Sequence, residues 1–144
     1  MRCLLAAANI DAENLEPIAI TSVARMYLYC KRRTFMTYSI YDACIQACLK
    51  CAVACDTCAA SCLAEDDVKM MARCIQTDID CADMCRLAAA LMARESEFAK
   101  SFCSLCAKAC RACAEECKKH EADHCQECAN ACLACAEECE RMAA

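Results

Sequence analysis

Ten cysteines lie between residues 103 and 139: Cys103, Cys106, Cys110, Cys113 and Cys117, then Cys125, Cys128, Cys132, Cys135 and Cys139. Their steps are three, four, three, four, a gap of eight, then three, four, three, four. This is the a/d spacing of a helix with one face turned inward, and sulfur stands where other chains place Leu or Ile. Cys44, Cys48, Cys51, Cys55, Cys58 and Cys62 keep the same rhythm, and Cys74, Cys81 and Cys85 form a sparser set. A few such residues could serve as small hydrophobes. Nineteen could not, because Ala, Val or Leu would fill the space without the liability to oxidation.

Soft thiolates select Cu(I), Zn(II) or iron–sulfur clusters. Cysteines at i and i+4 lie one turn apart on the same face. Eight such pairs occur: 44/48, 51/55, 58/62, 81/85, 106/110, 113/117, 128/132 and 135/139. A two-coordinate, near-linear ion suits one pair on one rigid helix, and Cu(I) commonly takes that geometry. Zinc needs four ligands in a tetrahedron and would draw them from two helices. Iron–sulfur motifs run their cysteines through loops around a compact cluster, which a continuous helical seam does not do. Unpaired thiolates in a dry interior are costly. One monovalent ion per pair leaves each site at −1, and about one per thiolate leaves the interior near neutral. Charge therefore brackets capacity between the eight pairs and the full set of inward cysteines.

The elements that must hold these residues are helical. The chain of 144 residues suits one domain, with no Gly and a single Pro, Pro17. Few positive-φ positions are then available, which disfavours tight β-hairpins. The spacing predicts helices over about 38–64, 68–94, 97–119 and 123–142. Ser39 or Asp42, Asp66 or Asp67, and Ser96 are the candidate caps of the first three. Residues 106–117 (CAKACRACAEEC) and 128–139 (CANACLACAEEC) form an internal repeat, and 48–62 is a weaker third copy. Four long helices with short links predict an all-α, antiparallel up-down-up-down four-helix bundle over residues 38–144. An N-terminal arm or short packed segment over 1–37 precedes it. Cys3 and Cys30 fall outside the sulfur rhythm and read as incidental thiols. Lys31, Arg32 and Arg33 read as solvated. In the second helix Asp78 stands where the rhythm expects a thiol, and the expense of burying a carboxylate favours placing it at the rim.

A net charge of −5 with both signs interspersed argues against nucleic-acid binding. No apolar run approaches the ~20 residues needed to cross a bilayer. The opening stretch breaks into Asn9, Asp11 and Glu13 too early for a secretory apolar region, so a reducing cytoplasm is expected. Disulfides between cysteines one turn apart would constrain almost nothing and fit poorly to near-parallel side chains. A phosphate loop, a Ser/His/Asp set and an open metal site flanked by an acid or base are all missing from the sequence, so no enzyme is expected. Glu115, Glu116, Glu137 and Glu138 read as a solvated outer face.

The CxxxC pairs on four helices, with the His-containing turn at 120–124, resemble the bacterial copper storage proteins. The similarity is to their cytosolic branch, cysteine-rich four-helix-bundle copper-binding proteins, and covers about residues 38–142. It implies multiple Cu(I) ions per chain held by pairs and bridges of cysteinates, for buffering, storage or detoxification. It also implies a homotetramer and exchange with a copper chaperone or cuproenzyme. Residues of His or Met type are expected at one mouth, which here are His120 and His124, with Met70 and Met71 beside them. Tyr41, Leu91, Met92, Phe98 and Phe102 at the other end read as an apolar plug. The long arm and the sulfur-poor second helix depart from the family pattern. A zinc or heavy-metal thiolate sink, an iron–sulfur electron carrier and a thiol redox sensor are the alternatives.

Overall fold

The computed structural model describes residues 40–144. The expected arm at 1–37, with Cys3 and Cys30, lies outside the described residues, as does the candidate cap Ser39. Four helices follow: α1 (Asp42–Cys62), α2 (Val68–Ala93), α3 (Ala99–Cys117) and α4 (Asp123–Ala143). No strand occurs among the described residues. Five-residue links join each helix to the next, which leaves room only for antiparallel neighbours. The helices pack in cyclic order, α1 on α2, α2 on α3, α3 on α4, and α4 back on α1. The α1–α2 and α3–α4 links share one end of the bundle, and the α2–α3 link lies at the other.

The helices begin and end for local reasons. Asp67 caps α2, its carboxylate accepting from Met70 N–H at 3.3 Å. Asp42 does not cap α1; it is the first helical residue, after Tyr41, where its negative charge complements the helix dipole. Ser96 stands before α3 and accepts from the N–H of Phe98, and the helix starts at Ala99, two residues later than the spacing predicts. In place of a glycine, Glu95 takes the left-handed conformation after α2 (φ 52°). Glu95 N–H reaches Met92 O and Ser96 N–H reaches Leu91 O, both at 3.0 Å. That pair of bonds is a Schellman turn.

The interior is made of sulfur and methyl groups. Nineteen cysteines line it, and alanines such as Ala52, Ala82, Ala107 and Ala136 lie buried alongside them. Small residues let the backbones approach, so thiols from diagonally opposite helices meet: Cys55 and Cys113 lie 4.0 Å apart, as do Cys81 and Cys132. By length and composition α1 is apolar enough to cross a membrane. All six of its cysteines face the bundle interior instead.

Candidate metal centre

Side chains spaced three and four apart stay on one helical stripe, and the cyclic packing aims all four stripes at a common axis. The result is a column of sulfur. All nineteen described cysteines are free thiols, each at most 1% exposed. At the end that holds the α1–α2 and α3–α4 links, Cys58, Cys62, Cys125 and His124 bring their ligand atoms within 4.8 Å of one another. His124 Nε2 is 3.5 Å from Cys62 Sγ and 3.7 Å from Glu65 Oε1. Its side chain is 20% exposed, so the ring spans from solvent to the first thiols. His120 sits nearby with Nε2 buried and without a hydrogen-bond partner, 3.9 Å from Glu116 Oε1.

Deeper in the column Cys132 of α4 touches Cys55 at 3.5 Å, Cys51 and Cys113 at 3.6 Å, and Cys128 at 3.9 Å. Beyond it Cys85 lies 3.5 Å from Cys110 and 3.8 Å from Cys135. The far end holds Cys44 and Cys48, each 3.6 Å from Cys139, and Cys103, whose thiol donates to Met92 Sδ at 3.6 Å. Contacts between helices are thus as short as those inside a helix, where 51/55 are 4.0 Å apart and 58/62 are 3.9 Å apart. Eight separate pairs is therefore an incomplete description. The sulfurs form one network in which most can bridge.

Asp78 is a correction to the rim placement: it is fully buried at the centre of α2's inward stripe. Its Oδ1 accepts from the thiols of Cys113, Cys128 and Cys117 at 3.0, 3.3 and 3.4 Å. Cys74 donates to its Oδ2 at 3.7 Å. The objection to burying a carboxylate fails because these thiols supply the donors. Burial still dominates and pushes the carboxyl up to about 6, against the opposing pull of the Cys113 and Cys58 thiols. Burial also pushes the Cys103 and Cys125 thiols up to about 12 each. Cys74 rises for the same reason and because the Asp78 charge lies beside it. The sequence carried a signal for Asp78: it stands one turn after Cys74, in register with Cys81 and Cys85.

The remaining expected end residues divide. Met71 is buried and Met70 is 69% exposed. At the far end Leu91 and Met92 are buried and Tyr41 and Phe102 pack against the core, but Phe98 is 63% exposed and takes no part in a plug. Glu115 and Glu137 face solvent as expected. Glu116 and Glu138 are half-buried and pair with Lys119 and Arg141.

Comparison with known proteins agrees with this geometry. The copper storage protein family, Csp, matches residues 37–144. The Cu(I)-bound copper storage protein BsCsp3 is 49% identical and superposes with a TM-score of 0.70, over 72% of this chain and 98% of its own. Ccsp of Streptomyces lividans, loaded with 10 copper equivalents, is 36% identical with a TM-score of 0.70, over 78% of this chain and 94% of its own. An uncharacterized cysteine-rich protein of Bacillus subtilis, YhjQ, is 50% identical over 83 residues, which is 58% of this chain and 77% of that protein. The family match takes in every cysteine of the column as well as Asp78 and His124, and on that ground the chain belongs to the copper storage protein family.

Proposed function

We propose that this chain takes up many Cu(I) ions into the thiol column and stores them, with Cys44 to Cys139 as ligands. The observation that carries this reading is the continuous run of buried free thiols at 3.5–4.0 Å, which a soft monovalent ion can bridge at every step. Each ion that enters displaces thiol protons. Near one Cu(I) per thiolate the lumen returns to neutrality, so capacity lies between the eight pairs and the nineteen sulfurs. Asp78 adds a carboxylate oxygen to the donor set at the column's centre.

Charge also weighs against zinc. Four-cysteine groups that could hold a tetrahedral ion do exist, but they share members: Cys51, Cys55, Cys81 and Cys132 each belong to more than one. Only some can fill together, and each filled zinc tetrathiolate carries about −2 into a dry interior. His124 and His120 serve as the entry end, where a ring that reaches both solvent and Cys62 hands ions inward. The chain acts as a store, in the cytoplasm, and exchanges copper with a chaperone or cuproenzyme. The chain assembles as a homotetramer, and Leu49 and Val53 on α1 with Ile79 and Leu87 on α2 offer exposed apolar surface for it.

Anaerobic titration of the reduced protein with Cu(I), against a chromophoric chelator, tests the reading. Tight uptake of at least eight equivalents with thiolate-to-copper absorption is expected. Saturation near one metal per four thiols, with zinc displacing copper, would refute it. His124→Ala with His120→Ala should slow loading and removal and leave the plateau nearly unchanged; a large loss of capacity would count against an entry role.

A further inference from the structure

The eight one-turn pairs use all the column cysteines except Cys74, Cys103 and Cys125. The structure gives each of these three a different partner. Cys74 has Asp78 one turn on, at 3.7 Å. Cys125 shares the entry cluster with His124. Cys103 has alanines at both one-turn positions, Ala99 and Ala107. The atom its thiol meets is the thioether sulfur of Met92, at 3.6 Å.

Met92 is fully buried and is the largest such side chain in the core. A methionine that only filled space could turn any of its atoms toward Cys103. Here the sulfur faces the thiol, at the closed end of the column, and the Schellman turn pins the Met92 carbonyl through Glu95 N–H. Thioether sulfur is a soft donor that carries no charge and no proton.

From this contact we propose that Met92 is a copper ligand, which with Cys103 forms a terminal Cu(I) site that closes the column. The step balances simply: the Cys103 thiol gives its proton to solvent, and Cu(I) takes its place between Sγ and Sδ. One monovalent ion, one thiolate and one neutral thioether sum to zero charge. A two-thiolate site at the same place would be left at −1 in a region sealed by Leu91 and Met92. Two metal–sulfur bonds of about 2.3 Å span the 3.6 Å gap when bent, and straightening them asks the sulfurs to part by only about 1 Å, within the reach of a flexible Met chain. Cys44 and Cys139, 3.6 Å apart at the same end of the column, are at hand to bridge this ion to the next.

This inference rests on the Cu(I) reading, and the experiment separates the two. Wild-type protein, Met92→Leu and Met92→Cys are titrated anaerobically with Cu(I) against bicinchoninate, with far-UV circular dichroism confirming that each is helical. Met92→Leu keeps the bulk and loses the sulfur, so its plateau should fall by about one equivalent. Met92→Cys loses bulk and keeps a sulfur donor, so it should hold that equivalent. A packing residue would give the reverse order. Met92→Leu filling to the wild-type plateau, or Met92→Cys filling no further than Met92→Leu, would overturn the proposal while leaving storage intact. Failure of the wild type itself to take up many equivalents would overturn the storage reading and the terminal site with it.

Discussion

Asp78 gives the metal-free bundle a pH dependence of defined sign. Its carboxyl is raised from 3.8 to about 6 in the folded chain, chiefly by burial. A shift of that size amounts to about 3 kcal/mol between the two protonation states. Because the folded value lies above the unfolded one, the folded chain holds the proton more tightly. Its stabilising contribution is complete below about pH 3.8 and is lost as pH rises through about 6. Roughly half of the loss, about 1.5 kcal/mol, falls between pH 5 and 7.5.

Urea denaturation of the reduced, metal-free protein and of Asp78→Asn, at matched pH values, measures this. An amide keeps an acceptor oxygen for Cys113 and Cys128 and carries no charge. Asp78→Asn should therefore be the more stable of the two at pH 7.5, by about 1–3 kcal/mol. The difference should shrink by about 1.5 kcal/mol on going to pH 5. Taking the difference cancels the titration of the surface carboxylates, which both proteins share. A difference that stays flat across this range, or that grows toward acid pH, would refute the claim that burial rather than thiol donation governs Asp78.

Glu95→Gly should stabilise the metal-free protein by about 0.5–1 kcal/mol, read as a higher thermal midpoint, because a β-carbon in the left-handed region is unfavourable there. Its copper plateau should not change. Cys132→Ser removes a sulfur that touches thiols on three other helices, and should lower the plateau by about two equivalents rather than one, since a bridging sulfur serves more than one ion. The same titration checks it, and a loss of one equivalent or none would mean that the column fills as isolated pairs.

Periodicity in the sequence carried the helices and the inward sulfur. The first, third and fourth sulfur stripes need no tertiary knowledge, because a 3–4 rhythm admits only one buried face. What spacing could not show was contact across the lumen. Cys132 and Cys55 are far apart in sequence and on different helices, yet lie closer than Cys51 and Cys55 on the same one. Asp78 departs from the rim placement because its surroundings are not hydrocarbon; thiols are weak donors, but several converge on it here. Glu95 left no trace either, since the usual marker of its conformation is glycine and the chain has none. Phe98 reads as apolar plug from its type, and it is the two residues buried beside the α2–α3 turn, Leu91 and Met92, that close that end.

Asp78 apart, the composition of the lumen follows from the need to be neutral in two states. Among the described residues Asp78 and Thr77 are the only buried polar or charged side chains apart from the thiols, and no lysine or arginine reaches the column. Without metal, burial first and the neighbouring sulfurs after it drive the Cys103 and Cys125 thiols well above their ordinary range, so these two hold their protons. With metal, each Cu(I) that replaces a proton leaves the charge where it was. A resident cation would favour thiolates in the empty protein and repel copper from the full one. Alanine and cysteine add little bulk, so the helices sit close enough for sulfur to meet sulfur from every side before any ion arrives. The bundle can then fill by exchanging protons for copper along an existing column, with its helices already in register.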